Sequence, residues 1–216
     1  MSTDLKVILA VLGLSTAIIV GVVFFGDKGL SNDNTADAFV DSSILIREDS
    51  LKINVPASKV TIVEFLDFEC EACRVAHPIL KQILKEYEGR ITFVLRIFPL
   101  HSNSVLAASA VESAAQQGKL WQMYDKLFEQ QTEWGEKQTP QTELFTRYAQ
   151  ELGLNMEQFQ AGLTDKKFAA KIERDRQDGI RAGVKGTPTF FLNGIPFQGI
   201  PTYNELKNKI DAELSK

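Results

Sequence analysis

Only two cysteines and two histidines occur among the 216 residues, so a metal centre built on thiolate and imidazole alone would have to use all four. With so few cysteines the chain is no disulfide-stapled scaffold, and a core of this length needs no staple. Positive charge is also short. Lys and Arg number 24 against 28 Asp and Glu, leaving −4, and no basic stretch of the kind that binds nucleic acid is present. No internal repeat is evident.

Charge is absent altogether from Val7 to Phe25, nineteen residues in which only Ser15 and Thr16 are polar. That length crosses a bilayer at ~1.5 Å per residue. It exceeds the ~7–15 residues of a signal-peptide core, and no small-x-small cleavage site directly follows it. The run reads as a retained single-pass transmembrane anchor (7–25) behind a short cytoplasmic N-terminus (1–6). The alternative is a secretory signal that is cleaved, leaving a secreted protein. Asp4 and Lys6 on one side, Asp27 and Lys28 on the other, give little orientation signal. Both readings place the remainder outside the cytoplasm, where disulfides persist.

After the anchor, the polar, acidic and small residues of 26–57 read as an extracytoplasmic tether with one short strand. Next comes "VTIVEFLDF" (60–68), β-branched and aromatic, which predicts a buried strand. Val75, Ile79, Leu80, Ile83, Leu84 and Tyr87 have helical spacing up to Gly89, with Pro78 inside the run. "ITFVLRIFPL" (91–100) predicts a second buried strand, completing a βαβ unit. Residues from about 102 to 182 read as helical throughout, with predicted starts at Thr139-Pro140 and at Asn155 with Gln158. "TFFLN" and "IPFQG" predict a hairpin turning at Asn193-Gly194, and an amphipathic helix ends the chain.

Both cysteines lie in "FLDFECEACRVAHP" (65–78), among Asp67, Glu69 and Glu71. A thiol attacks as thiolate, and negative neighbours disfavour thiolate. Three uses stand open for Cys70 and Cys73. They can be a redox pair, or a structural disulfide, although so short a loop stabilises little. They can also be a zinc clip, since Cys70, Cys73 and His77 have Cys-x2-Cys-x3-His spacing and His101 is the one histidine left for a fourth ligand.

The ordered set of strand, Cys-x-x-Cys, helix, strand, helical insertion, Gly-Thr-Pro, hairpin and helix resembles the thioredoxin superfamily. Within it the chain looks like the DsbA-like branch, including the membrane-tethered BdbD type, over roughly residues 58–216. "VEFLDFECEAC", "FPLH" (98–101), "QGKLWQMYDKLFEQQ" (117–131) and "GVKGTPTFFLNG" (183–194) carry the likeness. It implies an α/β thioredoxin fold with an inserted all-helical subdomain, here preceded by a single transmembrane helix. It also implies an extracytoplasmic protein thiol–disulfide oxidoreductase that introduces disulfides into exported proteins. Reduced or unfolded exported proteins would be its substrates, and a membrane protein of the DsbB or vitamin K epoxide reductase type would reoxidise it. No cofactor, metal or nucleic acid is expected, and a monomer is. The alternatives are a tethered reductase or isomerase, and a redox-inert binding module.

On this reading Cys70, at a helix start, meets unpaired backbone N–H groups and the positive end of the helix dipole, worth ~0.3–1 kcal/mol when exposed. Cys70 is the expected nucleophile and Cys73, one turn inward, the resolving thiol. Glu64 lies where the DsbA pattern carries a buried acid, and is the candidate proton acceptor; its alternative is a solvated strand end. Asp67 falls on the opposite strand face and ranks lower. Thr187 and Pro188 match the loop whose proline is cis in the family, and are the candidate substrate-binding residues. The chain departs from DsbA between its cysteines, where Glu71 and Ala72 replace proline and histidine. Glu71 opposes thiolate, so a less oxidising couple than that of DsbA is expected.

Overall fold

The computed structural model describes residues 39–216. The anchor predicted at 7–25 lies outside them, and among the described residues no helix is long and apolar enough to cross a membrane. The elements run α1 (Ser42–Leu45), β1 (Leu51–Ile53), β2 (Thr61–Leu66), α2 (Glu71–Glu86) and β3 (Thr92–Ile97). Six helices follow: α3 (Ser104–Gln116), α4 (Leu120–Glu129), α5 (Gln131–Trp134), α6 (Thr142–Glu151), α7 (Met156–Leu163) and α8 (Lys166–Arg181). Strands β4 (Thr189–Leu192) and β5 (Ile195–Pro196) and helix α9 (Tyr203–Leu214) complete the chain.

The strands form one sheet in the order β1-β3-β2-β4-β5, with β2 parallel to β3 and the other pairs antiparallel. Central β2 is buried on both faces, as its β-branched and aromatic composition requires. Ile62, Phe93, Phe190 and Leu192 pack on Leu80 and Ile83 of α2 and on Leu206 and Ile210 of α9. Val63, Phe65, Val94 and Phe191 face the other way, toward Leu45 of α1 and Val184 after α8. The inserted helices share a core with Leu66, Leu95, Ile97 and Cys73 at one end of the sheet. This is a thioredoxin core carrying a helical insertion.

Residues 39–57, assigned on sequence to the tether, carry α1 and β1. Their attachment is polar at its centre. Arg96 of β3 has no exposed surface, and it pairs with Asp175 (2.9 Å) and Asp178 (2.6 Å) of α8. The same guanidinium donates to the carbonyls of Ile44 (2.8 Å) and Leu45 (2.6 Å) at the end of α1. Arg47 also binds Asp178. One buried arginine therefore ties α1, β3 and α8 together, and the ordered domain begins before residue 58.

Local expectations differ in three places. Val75 is 58% exposed, because it sits on the outer face of α2 while Cys73, Ala76, His77, Leu80 and Ile83 turn inward. Helix α6 starts at Thr142 rather than after Thr139, since Asn103 Oδ1 takes the Gln141 N–H (3.1 Å). Asn155 does cap α7, but its own N–H is taken by Gln117, just after α3, rather than by Gln158. The hairpin turns at Asn193 (φ 49°) and Gly194 (φ 84°). A Cβ on Gly194 would lie 2.6 Å from the Phe39 ring, so glycine is required there twice over.

Candidate active site

Cys70 is the N-cap of α2, and its own N–H is turned back onto the carbonyl of Asp67 (3.1 Å). The register of β4 on β2, with Phe65 opposite Thr189, carries the Thr187-Pro188 peptide across the end of β2 to the cysteines. That peptide is cis, and Pro188 is buried. Cys70 Sγ lies 3.3 Å from the Thr187 carbonyl oxygen.

The two thiols have unequal surroundings. Cys70 is held down at about 5, first by the hydrogen bond it receives from the Cys73 thiol, against a rise from burial. The Thr187 side chain and the backbone N–H groups of Cys73 and Ala72 lower it further. The Thr187 carbonyl favours the thiol form while these donors favour the thiolate, and the donors outnumber it. Cys73 is 1% exposed, and burial pushes it far above the ordinary thiol range. The hydrogen bond it gives to Cys70 and the charge of Glu64 raise it further. One sulfur is a ready nucleophile and leaving group; the other keeps its proton until a base removes it.

Glu64 is 1% exposed in β2, opposite Leu95 and Phe190. Burial raises it to about 8, the nearby Tyr124 hydroxyl opposing and the Cys70 charge adding to the rise. The solvated-strand-end alternative does not hold. Tyr124 of α4 faces this carboxyl. Its hydroxyl and Glu64 Oε2 are both buried with no hydrogen-bond partner inside normal range, and its ring stacks edge-on to Phe68 at 5.8 Å and Phe128 at 5.2 Å. A carboxyl and a phenol thus share an apolar chamber against Cys73.

Two of the three acids are turned away from sulfur. Glu69 accepts the N–H groups of Asn103 (2.6 Å) and Glu136 (3.1 Å). Asp67, fully buried, accepts from Glu69 N (2.9 Å), Leu100 N (2.8 Å), Ser104 Oγ (2.7 Å) and His101 Nδ1 (2.6 Å). They staple loops to the cysteine turn. Glu71 remains exposed in the first turn of α2, where the helix dipole favours a negative charge. Gln131 of α5 carries no sequence signal of its own; its Nε2 donates to the carbonyls of Phe68 (2.7 Å) and Cys70 (2.9 Å).

His77 does not approach the cysteines as a ligand would; its Nε2 is 2.8 Å from Asp125. Among the described residues no cluster of three or more metal-ligating side chains forms.

A family model described as thioredoxin matches residues 48–212. A solved thioredoxin-like oxidoreductase from Silicibacter pomeroyi is 26% identical at a TM-score of 0.69, covering 82% of this chain and 99% of that one. BdbD from Bacillus subtilis, in oxidised form, is 24% identical at 0.69, covering 84% and 98%. Alpha-DsbA1 from Wolbachia pipientis is 21% identical at 0.74, covering 81% and 95%. The latter two likenesses concern the fold alone. Among curated proteins, Na(+)/H(+) antiporter NhaA 3 of Salinispora tropica is 34% identical over 168 residues, which is 76% of this chain and 25% of that protein. The chain spans about a quarter of the length of the curated relatives it matches.

Proposed function

The chain belongs to the thioredoxin family, and from that premise we propose a direction, partners and location for its thiol–disulfide oxidoreductase activity. The protein introduces disulfides into reduced exported proteins outside the cytoplasm. It is a BdbD-type monomer, held to the membrane by residues 7–25.

The oxidised protein carries a Cys70–Cys73 disulfide. A substrate thiolate attacks Cys70 Sγ, the S–S bond breaks, and Cys73 leaves with a proton supplied by neutral Glu64. The substrate's second thiolate then attacks the substrate sulfur of the mixed disulfide and expels Cys70 as thiolate. Two electrons pass from substrate to protein, and the substrate gains its disulfide. A membrane partner of the DsbB or vitamin K epoxide reductase type takes the electrons onward. In reverse, ionised Glu64 takes the Cys73 proton. The Thr187-Pro188 backbone pairs with an extended substrate segment beside Cys70.

The observation that carries the direction is the seat of Cys70. Groups that stabilise its thiolate, held at about 5, stabilise the reduced protein and make its disulfide the better oxidant. Glu71 works against this, and the couple is less oxidising than that of DsbA. The test is the redox state of the pair in cells, fixed by acid quenching and alkylation. A mostly oxidised pair is expected; a mostly reduced pair reverses the direction, and a potential as high as DsbA's overturns the role given to Glu71.

A further inference from the structure

The β3–α3 loop delivers one imidazole to the cysteine turn, and the proton-transfer scheme above does not use it. His101 Nδ1 lies 2.6 Å from Asp67 Oδ2, and its side chain is 44% exposed. The same carboxylate oxygen takes the Leu100 N–H and the Ser104 hydroxyl, and Ser104 Oγ in turn accepts the His101 N–H (2.9 Å). The ring is held by Asp67 and the backbone of its residue by Ser104. Asp67 precedes Cys70 by three residues and binds its N–H through the backbone carbonyl. A fully buried carboxylate at that place opposes a thiolate by like charge unless a cation answers it.

We propose that His101, oriented by Asp67, is the cation that holds Cys70 as thiolate and thereby sets the oxidising strength of the disulfide. It is a positioning residue acting through its field on the sulfur, and the inference rests on Cys70 being the nucleophile.

The groups acting on the ring support this. Burial lowers His101, but the hydrogen bond to Asp67 and the charges of Asp67, Glu69 and Cys70 prevail and raise it. From the α5–α6 connection, Glu136 donates its backbone N–H to Glu69 of the cysteine turn and Lys137 offers its carbonyl to Asn103 of the His101 loop. Coupling between two charges is reciprocal: if the imidazolium lowers Cys70, the thiolate raises His101. His101 should therefore titrate higher in the reduced protein than in the disulfide form.

The test uses the full chain with His101→Gln and His101→Lys, read by ultraviolet absorbance of the thiolate, by equilibrium with glutathione, and by NMR titration of the two histidines in each redox state. His101→Gln is expected to raise the Cys70 midpoint by about one pH unit, a tenfold loss of thiolate affinity for its site. Its equilibrium with glutathione shifts the same way, toward a weaker oxidant. His101→Lys keeps the low midpoint and loses the pH dependence between the two histidine titrations. An unchanged Cys70 midpoint in His101→Gln, or one His101 titration shared by both redox states, overturns the proposal. Mixed-disulfide capture at Cys70 by a Cys73→Ala chain separates the two claims. If capture works but the His101 variants are silent, only His101 loses its role; if capture fails, the assignment of Cys70 falls first.

Discussion

Glu64→Gln should change how stability depends on pH, and the size follows from burial. In the folded protein the carboxyl rises from 4.5 to about 8, chiefly because no water reaches it. Between those values the native protein keeps a proton that the unfolded chain has lost. The native form binds more protons there, so unfolding free energy falls as pH rises. The contribution is fully present below about 4.5 and is lost as pH passes about 8. At about 1.4 kcal/mol per pH unit the window corresponds to about 5 kcal/mol. Urea unfolding of parent and Glu64→Gln, both reduced, near pH 5 and near pH 9 isolates this contribution, since other groups cancel in the difference. The variant should gain about 4 kcal/mol on the parent between the two conditions, the part of the window that lies above pH 5. Curves that stay parallel within about 1 kcal/mol would refute the buried-acid account. The same variant tests chemistry. Loss of a positioned proton donor slows the step that moves the Cys73 proton by about 10²-fold or more, and an unchanged exchange rate removes Glu64 from the mechanism.

Arg96→Ala takes the closest cation from buried Asp175 and leaves Asp178 to Arg47 and Arg181, which costs about 3–5 kcal/mol. It should also open residues 39–47 to limited proteolysis, because Arg96 holds the end of α1. Tyr124→Phe removes a nearby hydroxyl that lowers Glu64; the pH–rate profile of exchange should move upward, and an unmoved profile denies that influence. Reduced protein should outlast oxidised protein at neutral pH in thermal melts. Cys70 is lowered from 9.0 to about 5, so its stabilisation is present above the higher value and is lost as pH falls through the lower. Solvent screening of this half-buried sulfur reduces the effect at pH 7 to about 1–2 kcal/mol. The two melting curves should meet below about pH 5.

Local pattern made much of this legible. The β-branched run of β2, the Asn193-Gly194 turn and the Thr187-Pro188 loop each declare themselves within a few residues, and the helix start gives Cys70 and Cys73 different surroundings. What stayed hidden depends on partners distant in sequence. Asp67 and Glu69 read as obstacles to thiolate because sequence shows only their nearness to Cys70. Their carboxylates are claimed by Leu100, 33 residues on, and by Glu136, 67 residues on. Tyr124 and Gln131 look like ordinary positions of inserted helices until folding sets them against Glu64 and the Cys70 carbonyl. Polar composition disguised residues 39–57 as tether, although Leu45 and Arg47 fasten them to the domain.

The central claim is the inequality of the two sulfurs, and capture of an exchange intermediate tests it most directly. Full chains carrying Cys73→Ala or Cys70→Ala are incubated with a peptide containing one disulfide, quenched with acid and mapped by mass spectrometry. The account predicts a mixed disulfide on Cys70 in the first chain, formed with a rate that falls as acid titrates the thiolate, at a midpoint above that of the parent because the Cys73 hydrogen bond is gone. It predicts none on Cys73 in the second, whose thiol is buried and neutral. A mixed disulfide on Cys73, or none on Cys70, would contradict it.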